Sequence, residues 1–284
     1  MDTASRTPLI VAFVGDLMFT TKIDNVIRHL GYQVQWVDDP TALDGDQKET
    51  KQEALGERLH GQEGRLFQQI ACWQPALLLF DLANRAIPWE QWIPMLKSSA
   101  ATRRIPIMAF GPHVDVEMMQ EAKRIGADFV FARSRFSSKM PQLLQDHIAI
   151  PEYDAINNAC QEPLSALARS GIDKFNQGAY YVCHDDLEEA WRQDSSPARD
   201  LYRGLLQVAV AFYQIERGNF RGATKMLLRM RQWLAPMPPV CRGVNVAKVL
   251  KDATAVQDAL NRLGPENIGK FDPILFRPIE FSQG

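Results

Sequence analysis

The residues best suited to chemistry stand close together in the second half of the chain. His184, Asp185, Glu188 and Trp191 follow one another at intervals of one, three and three positions. On a helix, residues three or four apart share a face, so His184 and Asp185 can both meet Glu188. An imidazole beside carboxylates can move protons or help to hold a metal ion. If buried and mutually bonded, the same groups can instead fix the register of two helices.

Three further polar residues are candidates for this site, namely Arg203, Gln207 and Asn219. Arg203 and Gln207 are four positions apart in a segment that is otherwise nearly apolar. A buried polar group without a partner costs roughly 1–3 kcal/mol, so both need partners, and His184 and Glu188 are the natural ones. The sequence therefore favours a buried polar lock between two helices. A ligand- or peptide-binding pocket and a metal-dependent or acid–base catalytic site are the alternatives.

Direct catalysis is the least supported of these three interpretations. His184 is the only histidine in the C-terminal half, whereas catalytic zinc usually has three protein ligands. Asp185 lies about 100° around a helix from His184. Cys183 adjoins His184 in sequence, but neighbouring helical residues do not face each other. The sequence therefore assigns no catalytic residue, no metal site and no cofactor to this cluster.

Composition limits the class of protein. The chain has 284 residues, a formal net charge of −2, 46% apolar residues and 23% charged residues. These values indicate a globular protein of about two domains and argue against nucleic acid as a partner. The cysteines at 72, 160, 183 and 241 form no CxxC pair, so we expect reduced thiols, with neither a zinc site nor a disulfide framework. No signal peptide and no apolar run of about 20 residues is present, so we expect a cytoplasmic protein.

Apolar strands and amphipathic helices alternate through the first half of the chain. The expected strands cover 9–14, 33–37, 75–80, 105–110 and 128–131. The expected helices cover 20–30, 65–73, 88–98, 114–125 and 136–147. A polar segment over 41–64 is interpreted as an insertion. The alternation predicts a five-stranded, doubly wound parallel sheet, whose ligands lie at the carboxyl ends of the strands.

The motifs at these strand ends resemble the receiver domain of bacterial response regulators. The matching pieces are FVGDL at the first strand, LLLFDLA at the third, RRIPIMAFG at the fourth and GADFVFARS at the fifth. The resemblance covers 8–147 apart from the insertion, and it implies a receiver or flavodoxin-like fold. It also implies that acids after the first and third strands hold Mg²⁺, and that the third-strand Asp accepts a phosphoryl group.

The match at the phosphoacceptor site is incomplete. Asp81 matches the phosphoacceptor and Asp16 matches one of the paired acids. Gly15 stands in place of the other acid, Gly111 in place of a Thr or Ser, and Arg133 in place of a Lys. The resemblance therefore implies a degenerate receiver in which Asp16 and Asp81 bind Mg²⁺ weakly at most. We expect a folded platform in which Asp81 is a solvated acid; the alternative keeps Asp81 as a phosphoacceptor.

The strand pattern ends at 149–154, and helices follow. We expect a receiver-like domain over 1–148, a linker over 149–162, a helical bundle over 163–263 and a tail over 264–284. The expected helices of the bundle cover 163–175, 180–192, 199–217, 220–234 and 246–263. Gly178 and Gly218 are 40 positions apart, and an aromatic and a small residue follow each at matching distances. This internal repeat predicts tetratricopeptide-like hairpins.

The bundle carries a second resemblance. FNQGAYYVCHDDLEEAW and YRGLLQVAVAFYQIERGNFRGATKMLL are similar to the bacterial family called domain of unknown function 309, over about 170–235. The resemblance implies an all-helical bundle and supplies no established activity.

Together these features predict a regulatory or scaffold protein that recognises protein partners without phosphorylation. Homodimerisation through the receiver-like half is one form that this recognition can take. One alternative is a small-ligand-binding or hydrolytic module centred on His184, Glu188 and Arg203. The other is a response regulator phosphorylated on Asp81.

Overall fold

A computed structural model of the protein describes residues 7–43 and 61–282. The chain forms two compact units, which meet in sequence between Ile150 and Pro151. Most of the predicted insertion, from 44 to 60, lies outside the described residues, and residues 61–64 begin a helix. Within the described ranges, no helix is both long and apolar enough to cross a bilayer.

The first unit is a five-stranded parallel sheet flanked by helices. Its strands are β1 (Leu9–Phe13), β2 (Gln33–Trp36), β3 (Leu77–Asp81), β4 (Ile107–Gly111) and β5 (Phe129–Ala132). Its helices are α1 (Leu17–His29), α2 (Gly61–Trp73), α3 (Trp89–Ser98), α4 (Val116–Arg124) and α5 (Arg133–His147). The strand order β2-β1-β3-β4-β5 is that of flavodoxin-like doubly wound sheets. The predicted fold class of this half is confirmed.

Burial explains why the central strands are unbroken apolar runs. β1, β3 and β4 are buried along nearly their whole length, whereas exposed and half-buried residues alternate in the edge strand β2. A strand that is covered by helices on both faces has to be apolar on both. Rings from neighbouring elements stack in this core, with 4.2 Å between the centroids of Phe13 and Phe80 and 4.5 Å between those of Phe110 and Phe136.

Three helices, α1, α2 and α5, begin earlier than predicted, and the shifts of α1 and α5 affect the strand ends. α1 begins directly after Asp16, because that carboxylate accepts hydrogen bonds from the backbone N–H groups of Met18 and Phe19. α5 begins at Arg133, directly after β5, rather than at Phe136. Asp16 and Arg133 are therefore held by helix ends and not by free loops.

The second unit is a helical bundle with one short hairpin. Its helices are α6 (Tyr153–Ala159), α7 (Ala166–Asn176), α8 (Cys183–Gln193), α9 (Asp200–Glu216), α10 (Phe220–Leu234) and α11 (Val246–Leu263). The hairpin consists of β6 (Val240–Cys241) and β7 (Val244–Asn245) and was not predicted. Its turn residues Arg242 and Gly243 have φ values of 51° and 82°, and positive values at both positions are typical of type I′ hairpin turns.

The internal repeat of 40 residues is a repeat of turn geometry. Gly178 and Gly218, in the α7–α8 and α9–α10 turns, have φ values of 81° and 69°. Cys183 and Ala223, five positions after each glycine, are both fully buried. A small side chain at this position lets the two helices of a hairpin approach closely. The predicted helical hairpins are confirmed.

The predicted linker and tail are partly wrong, because both contain segments that pack into the bundle. α6 lies within 149–162, and its residues Ile156 and Ala159 belong to the hydrophobic core. In the segment after 264, Ile279 is buried, and its backbone N–H and carbonyl both bond to the side chain of Asn176, at 2.7 and 3.0 Å. The bundle therefore extends beyond 163–263 at both ends.

The expectation of reduced cysteines is wrong for two of the four. Cys160 and Cys241 form a disulfide that joins positions 81 apart in the sequence. Next to it lies Arg242, whose guanidinium is buried and forms ion pairs with Asp194 at 2.6 Å and Glu162 at 3.1 Å. Both interactions tie the hairpin to earlier parts of the unit, and neither has a local sequence signal.

Gly204 sets the distance between α9 and α10, because a Cβ atom there would lie 2.3 Å from Cδ2 of Leu234. We expect Gly204→Ala to lower the free energy of unfolding by about 1–3 kcal/mol, since the fully buried Leu234 would have to shift. Urea unfolding followed by circular dichroism measures this change. Gly269→Ala is the matched control, because a Cβ there meets nothing within 4 Å. Equal stability of the two variants would contradict the close packing.

Candidate functional site

The carboxyl ends of β1, β3 and β5 bring three charged residues together. Asp16 follows β1, Asp81 ends β3 and Arg133 follows β5. Nη2 of Arg133 lies 2.5 Å from Oδ2 of Asp81, and Nη1 lies 3.3 Å from Oδ2 of Asp16. The guanidinium thus bridges both carboxylates. The structure unites the three residues of the predicted degenerate phosphoacceptor site.

The other oxygen of each carboxylate is also bonded. Oδ1 of Asp81 accepts a hydrogen bond from the backbone N–H of Ala83 at 3.0 Å. Oδ1 of Asp16 accepts bonds from the N–H groups of Met18 and Phe19, both at 3.1 Å. Every carboxylate oxygen of the site therefore has a partner within the protein.

Asp81 is not the solvated acid that the sequence suggested, since only 2% of it is exposed. Burial raises the pKa of its carboxyl above the ordinary value of 3.8, and the N–H of Ala83 and the charge of Arg133 act in the opposite direction. The negative charge of Asp16 raises the pKa further, to a smaller extent. The N–H of Ala83 and the guanidinium of Arg133 are therefore the groups that favour a charged carboxylate at this buried position.

Aromatic rings hold the guanidinium of Arg133 in place. Its central carbon lies 5.2 Å from the ring centroid of Phe19 and 5.6 Å from that of Phe110. Such contacts are attractive for a flat, delocalised cation, and an ammonium group offers neither the plane nor the fork. Arg133 is thus a fixed bridge between the two carboxylates.

Of the two glycines at the site, Gly15 is closely covered by a neighbouring side chain, whereas Gly111 has room for an ordinary contact. A Cβ at Gly15 would lie 3.1 Å from the side chain of Asn84, which donates a hydrogen bond to the backbone oxygen of Asp38 at 2.9 Å. A Cβ at Gly111 would lie 3.4 Å from Leu82. Asn84 therefore lies against the position of the second acid, a role that no motif in the sequence indicated.

The residues present do not fit the Mg²⁺ ion that the receiver resemblance implies. Mg²⁺ needs near-octahedral oxygen ligands at about 2.0–2.1 Å. Oδ2 of Asp16 and of Asp81 both face the guanidinium of Arg133, which supplies positive charge at that point. In the part of the chain that the structure describes, no group of three His, Cys, Asp or Glu side chains could hold a metal ion.

The polar cluster of the helical unit is arranged differently from the prediction. His184 lies near carboxylates of its own helix, with Nδ1 3.4 Å from Asp185 and Nε2 3.8 Å from Glu188. Glu188 forms its short ion pair, 2.5 Å, with Arg192. Among the described residues, the ion pairs of His184 and Glu188 all stay on α8. The predicted buried lock with Arg203 and Gln207 is therefore wrong.

Arg203 lies between two tryptophans. Its guanidinium carbon is 4.9 Å from the ring centroid of Trp191 on α8 and 4.1 Å from that of Trp233 on α10. Arg199 also lies over the ring of Trp191, at 4.4 Å. The sequence indicated Arg203 as a hydrogen-bonding partner and missed these stacking contacts, because they depend on which helices are neighbours.

The last two residues of the predicted cluster have local roles. Gln207 is buried on α9, and its Oε1 has no hydrogen-bond partner among the residues that the structure describes. Asn219 is the N-cap of α10: its side-chain oxygen accepts a bond from the N–H of Gly222 at 2.9 Å. The structure therefore does not join Asn219 to His184 and Glu188 in one site.

The thiol of Cys183 is poorly suited to nucleophilic attack. Its thiol is fully buried, and burial raises its pKa to about 12, with a further contribution from the nearby charge of Asp186. A thiol with so high a pKa carries almost no thiolate at neutral pH. Its role is to pack in the α7–α8 hairpin.

Comparison with known sequences agrees with the resemblance seen in the helical unit. Residues 168–226 match the family model described as Domain of unknown function (DUF309). An uncharacterized protein of Aquifex aeolicus is 28% identical over 76 residues, which are 26% of this chain and 23% of that protein. The uncharacterized protein YpuF of Bacillus subtilis is 41% identical over 49 residues, which are 17% of this chain and 28% of that protein. The chain thus spans about a quarter of the length of these relatives.

Solved structures similar to the first unit are receiver domains. The chemotaxis response regulator CheY4 of Vibrio cholerae is 14% identical, with a TM-score of 0.36, and the match covers 50% of this chain and 99% of that one. The receiver domain of the sensor histidine kinase PA1611 from Pseudomonas aeruginosa is 15% identical, with a TM-score of 0.38 and coverage of 50% and 97%. The structure of the PA1611 domain holds a magnesium ion in its active-site cleft. The chain combines a five-stranded parallel α/β unit with a helical unit whose residues 168–226 match the DUF309 model.

Removal of the bridging guanidinium tests the arrangement of the site. In Arg133→Met the carboxylate of Asp81 stays buried without a cation, so we expect a loss of about 1–3 kcal/mol in the free energy of unfolding. Because the folded pKa of Asp81 is raised, stability falls as the pH rises from 3.8 through that folded pKa. Without Arg133 the pKa of Asp81 in the folded protein rises further. In the variant the fall of stability with rising pH therefore continues to a higher pH. Denaturant unfolding over a pH series measures the effect.

The matched control is Arg135→Met, on the same helix, whose exposed guanidinium lies over the ring of Phe131. It removes the same charge without touching Asp81. Identical pH profiles for the two variants would show that Arg133 does not control the titration of Asp81.

Proposed function

We propose that this chain is a regulatory or scaffold protein whose receiver-like unit works without phosphorylation and whose two units recognise protein partners. The observation that carries the proposal is the bridge from Arg133 to Asp16 and Asp81. In this arrangement the acceptor oxygen of Asp81 is already bonded to a fixed cation. In phosphoryl transfer a metal ion usually supplies positive charge at this point. In this chain the guanidinium of Arg133 supplies positive charge there.

The exposed apolar side chains near these strand ends support a role in recognition. Met18 on α1 is 87% exposed, and Val114 after β4 is 77% exposed. A cleft of about 610 Å³ at the same strand ends is lined in part by Phe19, Pro112 and Arg133. Large apolar side chains that stay exposed around a cleft are typical of surfaces that contact another protein. A partner protein, a second copy of this chain included, is accordingly part of the proposal.

Two alternatives from the sequence have less support. A hydrolytic module needs His184, Glu188 and Arg203 to act on one substrate atom, whereas the ion pairs of His184 and Glu188 stay on α8 and Arg203 stacks between tryptophans. A phosphorylated response regulator needs Asp81 free to attack a phosphoryl donor, whereas Arg133 and Ala83 hold both its oxygens.

A cytoplasmic location is also part of the proposal, and the Cys160–Cys241 disulfide argues against it, since such bonds are rare in the cytosol of most organisms. Rapid alkylation of free thiols in native cells, followed by mass spectrometry, tests whether the two cysteines are reduced where the protein is located. Alkylated Cys160 and Cys241 would support the cytoplasm, and an intact disulfide would contradict it.

Incubation of the full chain with acetyl phosphate and Mg²⁺ tests the absence of phosphorylation. We expect the intact mass to stay unchanged, because both oxygens of Asp81 are already bonded and the switch hydroxyl is replaced by Gly111. A phosphorylatable receiver domain treated in parallel shows that the reagent is active. An added phosphoryl group that disappears in Asp81→Asn would overturn the proposal.

A further inference from the structure

A second cleft of the first unit lies between the start of α1 and the end of β2. Its volume is about 380 Å³, which is within the range of pockets that hold small ligands. The side chains of this α1–β2 cleft therefore face one common space. Its lining includes Leu17, Thr20, Thr21 and Asp24 of α1, Trp36 of β2, and Asp38, which follows that strand.

The threonines of the α1–β2 cleft offer hydrogen-bond acceptors rather than donors. The hydroxyls of Thr20 and Thr21 both donate to the backbone oxygen of Leu17, at 2.8 and 3.1 Å. A hydroxyl that has used its proton still presents lone pairs to a ligand. Trp36 adds one N–H donor, at the edge of its indole. The lining therefore suits a ligand that carries several N–H groups.

The α1–β2 cleft is also acidic, because two carboxylates and no basic residue line it. Asp24 already forms an ion pair with Arg28 at 2.5 Å. Oδ1 of Asp38 accepts a hydrogen bond from the N–H of Asp39 at 3.1 Å, and its Oδ2 has no partner among the described residues. The backbone oxygen of Asp38 accepts a hydrogen bond from Asn84 at 2.9 Å, which fixes the chain that carries this carboxylate. The ligand that fits this charge is a cation.

An aromatic plane and an aliphatic wall complete the cleft. Trp36 is half-buried: part of it packs against the core of the sheet, and part of it lines the cleft. Leu17 is 83% exposed at the entrance, which is unusual for a large apolar side chain. A guanidinium can stack on an indole face, and the stem of an arginine can lie along apolar surface.

We propose that the α1–β2 cleft binds a guanidinium group on an aliphatic stem. The plane of the group stacks on Trp36, its N–H groups donate to Asp38 and to the threonine oxygens, and the stem lies along Leu17. An ammonium group supplies the same charge but has no plane to stack and no fork of N–H groups. A metal ion fits less well, because hard cations take six or more oxygen ligands and prefer dense carboxylate sets.

The ligand can be a small guanidinium compound or an arginine side chain of a partner protein, since both carry the same group. The inference therefore goes beyond the proposed function and does not depend on it. Because Asn84 and Asp39 already hold the backbone and one oxygen of Asp38, little ordering is needed when the ligand arrives.

The experiment measures binding of three capped amino acids to the full chain by saturation-transfer NMR. The probes are N-acetyl methylamides of arginine, of lysine and of citrulline, whose urea group has the shape of a guanidinium without its charge. We expect the arginine probe to bind about tenfold more tightly than the citrulline probe, and more tightly than the lysine probe. The indole ¹⁵N–¹H signal of Trp36, assigned by its loss in Trp36→Phe, should shift with the arginine probe and so locate the site.

Two variants make the test specific. Asp38→Asn keeps an oxygen for the N–H of Asp39 but removes the charge, so the arginine probe should lose about tenfold in affinity and the citrulline probe almost nothing. Trp36→Leu removes the stacking plane, so it should weaken the arginine probe more than the lysine probe. Asp146→Asn is the matched control: it changes net charge equally at an exposed position on α5 and should have no effect. Circular dichroism verifies that the variants fold.

Three outcomes would overturn the inference. The first is equal affinity for the arginine and citrulline probes, and the second is an equal loss in Asp38→Asn and Asp146→Asn. The third is binding of the arginine probe without a shift of the Trp36 signal. Butylguanidinium and a capped Gly-Gly-Arg-Gly-Gly peptide then distinguish the two sources of the group. Tighter binding of butylguanidinium supports a small molecule, and tighter binding of the peptide supports an arginine of a partner protein.

Discussion

The ion pair between Asp81 and Arg133 is the constraint on which the receiver-like site depends. Asp81 ends a fully buried strand, so its carboxylate cannot rely on water for its stability. The chain supplies a guanidinium at 2.5 Å instead, and the same group reaches Asp16. The cation that faces both carboxylates is thus covalently part of the fold. The glycines at 15 and 111 and the position of Asn84 are consistent with this arrangement.

Three arginines illustrate how one side chain can serve different purposes in this protein. Arg133 bridges two carboxylates under aromatic rings, Arg203 stacks between two indoles, and Arg242 is buried among Asp194 and Glu162. In each case the flat, forked guanidinium makes contacts that a lysine could not make. The first joins the strand-end acids of the α/β unit, the second links α8, α9 and α10, and the third ties the hairpin to earlier parts of the helical unit.

Local patterns in the sequence predicted the architecture well. The alternation of apolar runs with amphipathic segments gave the five parallel strands, and the glycines at 178 and 218 gave the two helical hairpins. Both signals arise from residues within one or two elements. Asp16, Asp81 and Arg133 could be grouped because parallel strands end at a common edge.

The features that the sequence missed depend on contacts between distant segments. Cys160 and Cys241 are 81 positions apart, and nothing at either position indicates the other. The polar lock failed for a related reason. Helical periodicity gives the face of a residue but not the neighbour of that face, so Arg203 was assigned to His184 and Glu188 when its stacking partners are Trp191 and Trp233.

The most direct test of the central claim is a crystal structure of the full chain grown with Mg²⁺ and beryllium fluoride, a mimic of the phosphoryl group. The account predicts that Arg133 stays bonded to Asp81 and Asp16, with no ion between the carboxylates. A metal ion bound to Asp81, with the guanidinium displaced toward solvent, would contradict it.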